Sequence, residues 1–351
     1  MTADGPFSGP SPRWFNIAAH RTFLDDLARG LLAALPGATL AEAVVLLPSR
    51  RAARALAEAF VGAGGGKALL LPQVRALGDL DEGEPPFEPG DLVLDAPSAI
   101  GPLRRRFELA RLVSEHAPLL GRAIDASGAL ELADVLGGFL DSFEIEEVAE
   151  EDRLDRVRAL VEGDLARHWR ISADFLAIAL EAWPDRLGEL GLIDISARRV
   201  RLLRALKDKW ERRPPQGPLI AAGSTGTAPA NADLLAVIGG LPMGAVVLPG
   251  LDLELADEAW AEVGEQHPQG AMKRLIERAG VTRDDVRPWP VRGEMSRDRW
   301  RRRIINEALR PAEATKDWTR QIRKLQAEGA REGVDPMAEG LDGLAVVAAR
   351  D

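Results

Sequence analysis

The pattern of apolar and polar positions changes character twice along the chain. Residues 44–48 (VVLLP) are continuously apolar and pass straight into SRRAARALAEAF, whose Arg, Ala, Leu and Glu favour a helix over about 49–61. Ser49 stands where an N-cap belongs. An unbroken apolar strand feeding a helix is the pattern of a parallel sheet buried on both faces. Upstream, 14–18 reads as a first strand and 22–35 as the first helix. Downstream, 68–74 (ALLLPQV) reads as the next strand, reached through a glycine turn at 62–66. The acidic, Pro- and Gly-rich stretch 79–90 predicts an exposed loop before a short strand at 92–95.

From residue 100 the period becomes helical, with long amphipathic segments at 101–116, 128–149, 151–182 and 195–212. The charge-dense piece 144–155 reads as a solvated face and turn. After Pro214-Pro215 the earlier pattern resumes. LIAA (219–222) leads into Gly223-Ser224-Thr225-Gly226-Thr227, then a helix at 229–238 and a strand at 245–249, the order of a right-handed crossover unit. A helix at 271–279, an extended piece at 286–290, a basic helix at 295–309 and a mobile polar stretch follow. The end, 344–351 (LAVVAARD), reads as another core strand, so the chain is expected to be a piece of a longer polypeptide. The expected architecture is α/β, a parallel-sheet domain in two parts (13–98 and 214–351) with an inserted α-helical domain (99–213).

Composition narrows the function. With 351 residues the chain can hold roughly two or three domains. Its 46% hydrophobic and 28% charged content is that of a soluble globular protein, and no apolar run approaches the ~20 residues of a membrane helix. A formal charge of -10 argues against a general DNA-coating protein while leaving room for a local basic groove. Of the 45 basic residues 39 are Arg, a skew that fits a GC-rich genome and says nothing about phosphate. The absence of cysteine excludes disulfides, thiolate-held zinc, iron–sulfur clusters and cysteine nucleophiles. No base precedes Arg13 and no apolar h-region is present, so no signal peptide is expected, and the expected location is cytoplasmic, without membrane contact.

The candidate chemistry is sparse. GAGGGK (62–67) lacks the order of a P-loop, which needs a strand, then GxxxxGK[ST], then a helix. Here the glycines follow a helix and Ala68 replaces the magnesium-holding hydroxyl, as in a helix-ending turn. Between the first strand and first helix stands Ala18-Ala19-His20-Arg21, with no phosphate cradle, so ATP hydrolysis is not expected. The histidines, at 20, 116, 168 and 267, show no metal-ligand spacing. His267-Pro268-Gln269-Gly270 opens a helix carrying Lys273 and Arg274, and reads either as a structural turn or as a ligand contact. Gly223 to Thr227 reads either as a tight turn or as a phosphate-contacting loop. Ser49, Arg50 and Arg51 occupy a comparable junction, where the helix dipole favours an anion. No carboxylates stand at nuclease spacing: Asp194 lacks a downstream ExK.

VVLLPSRRAARALAEAF resembles the second conserved element of superfamily 1 helicases, a strand and small hydroxylated turn entering a helix with a basic-Ala-Ala start. In order, LLPSRRAARAL, KALLLPQVRALGDLDE, GSTGTAPANADLLAVI with AVVLPGLD, HPQGAMKRLIERAG and VRPW resemble AddB-type subunits of alphaproteobacterial AddAB helicase-nucleases. The resemblance spans about Phe15 to Trp289. It implies a P-loop NTPase-type, superfamily 1-like but degenerate fold, an AddA-like partner, contact with DNA, and a role in double-strand break repair by end resection for recombination. It also implies a nuclease domain with an iron–sulfur cluster and magnesium, which this chain does not contain: it has no cysteine and no carboxylate–lysine motif, and falls short of the family's length. The chain is therefore expected to carry no cofactor, no metal site and no catalytic residue of its own. Its expected DNA contacts are Ser49, Arg50, Arg51, Gly223, Ser224, Thr225, Gly226, Thr227, His267, Gln269 and Lys273. A competing expectation is a stand-alone α/β enzyme that binds a nucleotide or phosphorylated small molecule on Gly223 to Thr227, though no catalytic base accompanies that loop.

Overall fold

The computed structural model describes residues 6–7, 9–77, 97–120, 124–159, 167–291, 293, 296–315, 317–345 and 347. Six short segments form one sheet: β1 (Trp14–Ile17), β2 (Val44–Leu47), β3 (Gln73–Ala76), β4 (Leu219–Ala222), β5 (Gly244–Pro249) and β6 (Val286–Pro288). Their order is β3-β2-β4-β5-β1-β6 and every pairing is parallel. Trp14 stands opposite Val246 on one side and Val286 on the other, while Val44 stands between Gln73 and Leu219.

Alternation along each strand divides the apolar side chains between two covered faces, which is why the central strands read as unbroken apolar runs. Phe15, Ile17, Val45, Leu47, Ile220, Ala222, Ala245 and Val247 share one core with Leu27 and Leu31 of helix Phe23–Ala34 and Leu56 and Phe60 of helix Arg50–Ala63. On the other face Trp14 lies against helix Pro229–Gly240, so close that a Cβ on Gly239 would stand 2.6 Å from its indole nitrogen.

The chain divides into two compact units, Met1–Asp79 with Arg213–Thr227 and Leu235–Asp351, and Leu80–Arg212 with Ala228–Leu234. The second unit is helical. Helices Pro102–His116, Ala126–Ile145, Glu150–Ala159, Arg167–Leu190 and Ile195–Arg212 enclose a core that includes Leu109, Leu136, Leu140, Phe175 and Trp183. Gly138, inside helix Ala126–Ile145, is exposed, and a Cβ there would meet nothing within 4 Å. Gly138→Ala should therefore raise stability by about 0.5–1 kcal/mol, the helix-propensity difference, in a urea denaturation series.

Several elements differ from the sequence reading. The third strand begins at Gln73, not residue 68, because Pro72 has no N–H to give the ladder, and Leu70 ahead of it is 70% exposed. The helix expected to run to 149 stops at Ile145, where Glu147 turns back with φ 53°, and a new helix starts at Glu150. Of the expected helix 151–182, Glu150–Ala159 and Arg167–Leu190 are helical, and 160–166 lie outside the described residues. The loop at 79–90 and the strand at 92–95 also lie outside them.

The polar stretch after Leu309 contains helix Trp318–Glu332, capped by the Asp317 carboxylate on Arg320 N–H and closed by Gly333 at φ 71°. At the end, residues 344, 345 and 347 form no strand, and Leu344 and Val347 are exposed; 346 and 348–351 lie outside the described residues. Among the described residues no helix is long and apolar enough to cross a membrane.

Candidate nucleic-acid interface

Chain direction locates the site. The helix after β2 contributes to the core on one face of the sheet, whereas the helix after β4 packs on the other through Gly239 and Trp14. Because β2 and β4 are neighbours, their exits diverge at the carboxyl edge and leave a topological switch point, the place where open parallel sheets take ligands. The structure brings two of the expected loops together there. A Cβ on Gly223 would lie 3.6 Å from Cδ of Pro48, the residue before Ser49.

At the β2 exit the Ser49 hydroxyl oxygen accepts from Ala52 N–H at 3.3 Å, as an N-cap should, and the first helical turn contains no carboxylate. Arg50 and Arg51 are exposed on that turn, where their charge adds to the positive end of the helix dipole. Arg54, one turn further on, is exposed and forms no ion pair among the described residues. Sequence reasoning misses it, although its three-residue spacing from Arg51 places both on one side of the helix.

At the β4 exit Gly223 and Gly226 adopt φ of 77° and 59°, values that only glycine reaches without strain. The Ser224 hydroxyl accepts from Gly226 N–H at 3.3 Å, which closes the turn. Thr225 is half-buried and Thr227 exposed, and neither hydroxyl has a hydrogen-bond partner among the described residues.

The third expected segment is taken up by the fold. The Gln269 side-chain amide donates to Gly250 O at 3.0 Å and accepts from Asp252 N–H at 2.9 Å, holding the loop after β5. His267 accepts at Nδ1 from Gln269 N–H, which leaves Nε2 to carry the proton and donate to Leu309 O at 2.8 Å. Lys273 spends its donors on the carbonyls of Trp260, Ala261 and Val263 at 2.9, 2.9 and 3.1 Å. These side chains fix the backbone, which leaves the β2 and β4 exits as the candidate surface for an anion.

The β1 exit, where a nucleotide phosphate would dock in a P-loop protein, is closed where it meets the loop after β5. Gly250, at φ 88°, is approached so closely by Ala19 that a Cβ on it would stand 2.9 Å from the Ala19 methyl. The first turn of helix Phe23–Ala34 carries Asp25 and Asp26. Asp26 is buried and pairs with Arg21 and with Arg29, so a carboxylate already occupies the positive helix end. A 260 Å³ pocket lies at the same exit, lined by Asn16, Ile17 and Ala18 and rimmed by His20, Arg21, Glu254 and Arg302, which bind one another and the backbone. Arg302 reaches Glu254 at 2.6 Å and His20 Nδ1 at 2.9 Å, and Arg21 donates to Gly293 O.

Asp194, the isolated carboxylate of the sequence, belongs to the helical unit and accepts from Trp183 Nε1 at 2.7 Å and Arg105 Nε at 3.1 Å. Among the described residues no three His, Asp or Glu converge to hold a metal ion, and without cysteine the chain has no thiolates for an iron–sulfur cluster. Compared with known protein families, with curated proteins and with solved structures, the chain matches none.

Proposed function

We propose that this chain is the non-catalytic, helicase-like portion of an AddB-type subunit, contacting single-stranded DNA and an AddA-like partner during repair of double-strand breaks in the cytoplasm. The observation that carries the reading is the contrast between two exits of one sheet. The β2/β4 switch point has two threonine hydroxyls and exposed arginines with no first-turn carboxylate, and its glycines Gly223 and Gly226 pack against Phe23 and Leu275. The β1 exit is closed by Ala19 beside Gly250, its helix end is taken by Asp26, and the pocket that remains there is rimmed by side chains that pair with one another. A phosphate backbone would meet arginines at the first and a buried carboxylate at the second, which supports strand contact over nucleotide turnover. The ordered sequence pieces point the same way.

The test pairs binding with turnover. Purified chain should bind a fluorescent single strand at low salt, with affinity unchanged by magnesium-ATP, and should release no phosphate above background. A turnover of even ~1 per second, a low but ordinary enzyme rate, removed by His20→Ala or Arg21→Ala, would overturn it.

A further inference from the structure

Helix Trp318–Glu332 carries a cationic face that pairs with nothing else in the described chain. With about 3.6 residues per turn, Arg320, Lys324 and Arg331 fall within about 40° of one another around its axis, and Arg323 flanks them. All four are exposed, and none has a side-chain hydrogen bond or ion pair among the described residues. The carboxylates of the same helix are engaged elsewhere. Glu328 pairs with Arg303 at 2.8 Å and Glu332 with Arg299 at 3.0 Å, both on helix Ser296–Ala308, while Asp317 caps Arg320 N–H. The arrangement weakens the helix on its own: Arg320 has like-charge neighbours three and four residues on, and as a first-turn cation it opposes the helix dipole. An external anion would relieve both.

The surroundings of the cations select that anion. A lipid surface needs the apolar side of a helix free to enter it. Here that side, with Trp318 and Ile322, also holds Leu325 and Gly329, which are buried, and a Cβ on Gly329 would strike the Pro336 ring. A protein partner would bury large apolar or aromatic anchors, whereas the exposed residue among these cations is Ala327. A flexible single strand would have to be straightened along the row, with no aromatic ring there to stack its bases. A duplex is already stiff, and its backbone asks for cations alone. From Arg320 to Arg331 the helix rises about 16 Å, a length over which one strand of a duplex presents about five phosphates.

We propose that this face of helix Trp318–Glu332 binds the phosphate backbone of duplex DNA through Arg320, Lys324 and Arg331, with Arg323 at its margin. The assignment rests on the reading of the chain as a DNA-contacting subunit but uses no residue of the β2/β4 exits, so each surface can fail without the other.

The full chain is titrated with a fluorescent duplex and with a single strand over a range of salt, as wild type and as the triple variant Arg320→Gln, Lys324→Gln, Arg331→Gln. Each cation on a duplex phosphate contributes about 0.9 to the slope of log affinity against log salt, so the duplex slope should fall by roughly 2.7. The single-strand slope should not change. Arg320→Lys with Arg331→Lys keeps the charges and should keep the slope. If the triple variant departs from wild-type circular dichroism, Lys324→Gln alone replaces it, with an expected fall of about 0.9. Absence of duplex binding, a duplex slope that does not move, or an equal fall with the single strand overturns the proposal. So does tighter binding to phosphatidylserine vesicles than to the duplex, lost in the triple variant. A failure of Arg50 and Arg51 at the sheet edge would leave it standing.

Discussion

Arg105→Ala is expected to destabilise the helical unit by about 3–5 kcal/mol, the usual result of removing one partner from a buried charge cluster. Arg105 donates from Nη1 and Nη2 to Asp141 at 3.1 and 2.8 Å, from Nε to Asp194 at 3.1 Å, and to Gly137 O at 3.2 Å. The side chains of Arg105 and Asp194 are only 11% and 5% exposed, whereas that of Asp141 is 28% exposed, so Asp194 is the carboxylate left without its countercharge away from water. Its neighbour Arg106 pairs with Asp134 at the same 2.8 Å but in the open, with side chains 44% and 55% exposed. Arg106→Ala should cost under about 1 kcal/mol. Hydrogen exchange of the helices Pro102–His116 and Ala126–Ile145 reads both variants locally. Equal losses in protection would contradict the picture of a buried cluster holding this unit together. The triple change Arg105→Met, Asp141→Leu, Asp194→Leu should recover much of the loss, because no charge is then left buried.

Gly250→Val is the second large effect. At φ 88° a β-branched residue is strained by about 1–2 kcal/mol, and its Cβ would press on the Ala19 backbone, with Ala19 Cα 3.1 Å away. Overpacking against a fixed neighbour adds about 1–3 kcal/mol, for a total of about 2–5 kcal/mol. Gly65→Val is the control, since Gly65 has φ 59° but open space around it, and it should show the strain alone. The two melting temperatures separate the contributions. If they fall together, Ala19 does not close the β1 exit, and the argument that the nucleotide slot is closed fails with it.

Much of this fold can be read from residue order because its central strands β2, β4 and β5 are unbroken apolar runs. β4, expected at 219–222, is Leu219–Ala222, and the helix expected at 195–212 is Ile195–Arg212. Helix Trp318–Glu332 escapes the pattern because its apolar positions, Trp318, Ile322 and Leu325, are few among charged and polar neighbours. Its end signals, Asp317 and Gly333, are nonetheless present in the sequence.

The site is legible in part for a related reason. Ser49 as a cap and the glycine turn after β4 are local features with local signatures. The fate of His267, Gln269 and Lys273 is not legible, because their partners are mainly backbone groups, and a carbonyl such as Gly250 O has no sequence mark. The closing of the β1 exit by Ala19 against Gly250 is likewise a meeting of distant segments that only the sheet order creates.

The most direct trial of the β2/β4 interface is the salt dependence of single-strand binding in the wild type and in the double variant Arg50→Ala, Arg51→Ala. Each arginine on a phosphate contributes about 0.7 to the slope of log affinity against log salt. If both touch phosphates, the variant should bind more weakly and its slope should fall by roughly 1.4. A slope and affinity equal to those of the wild type would mean that the two arginines are only the solvated first turn of a helix, and the carboxyl edge at β2 would not be where this protein meets DNA.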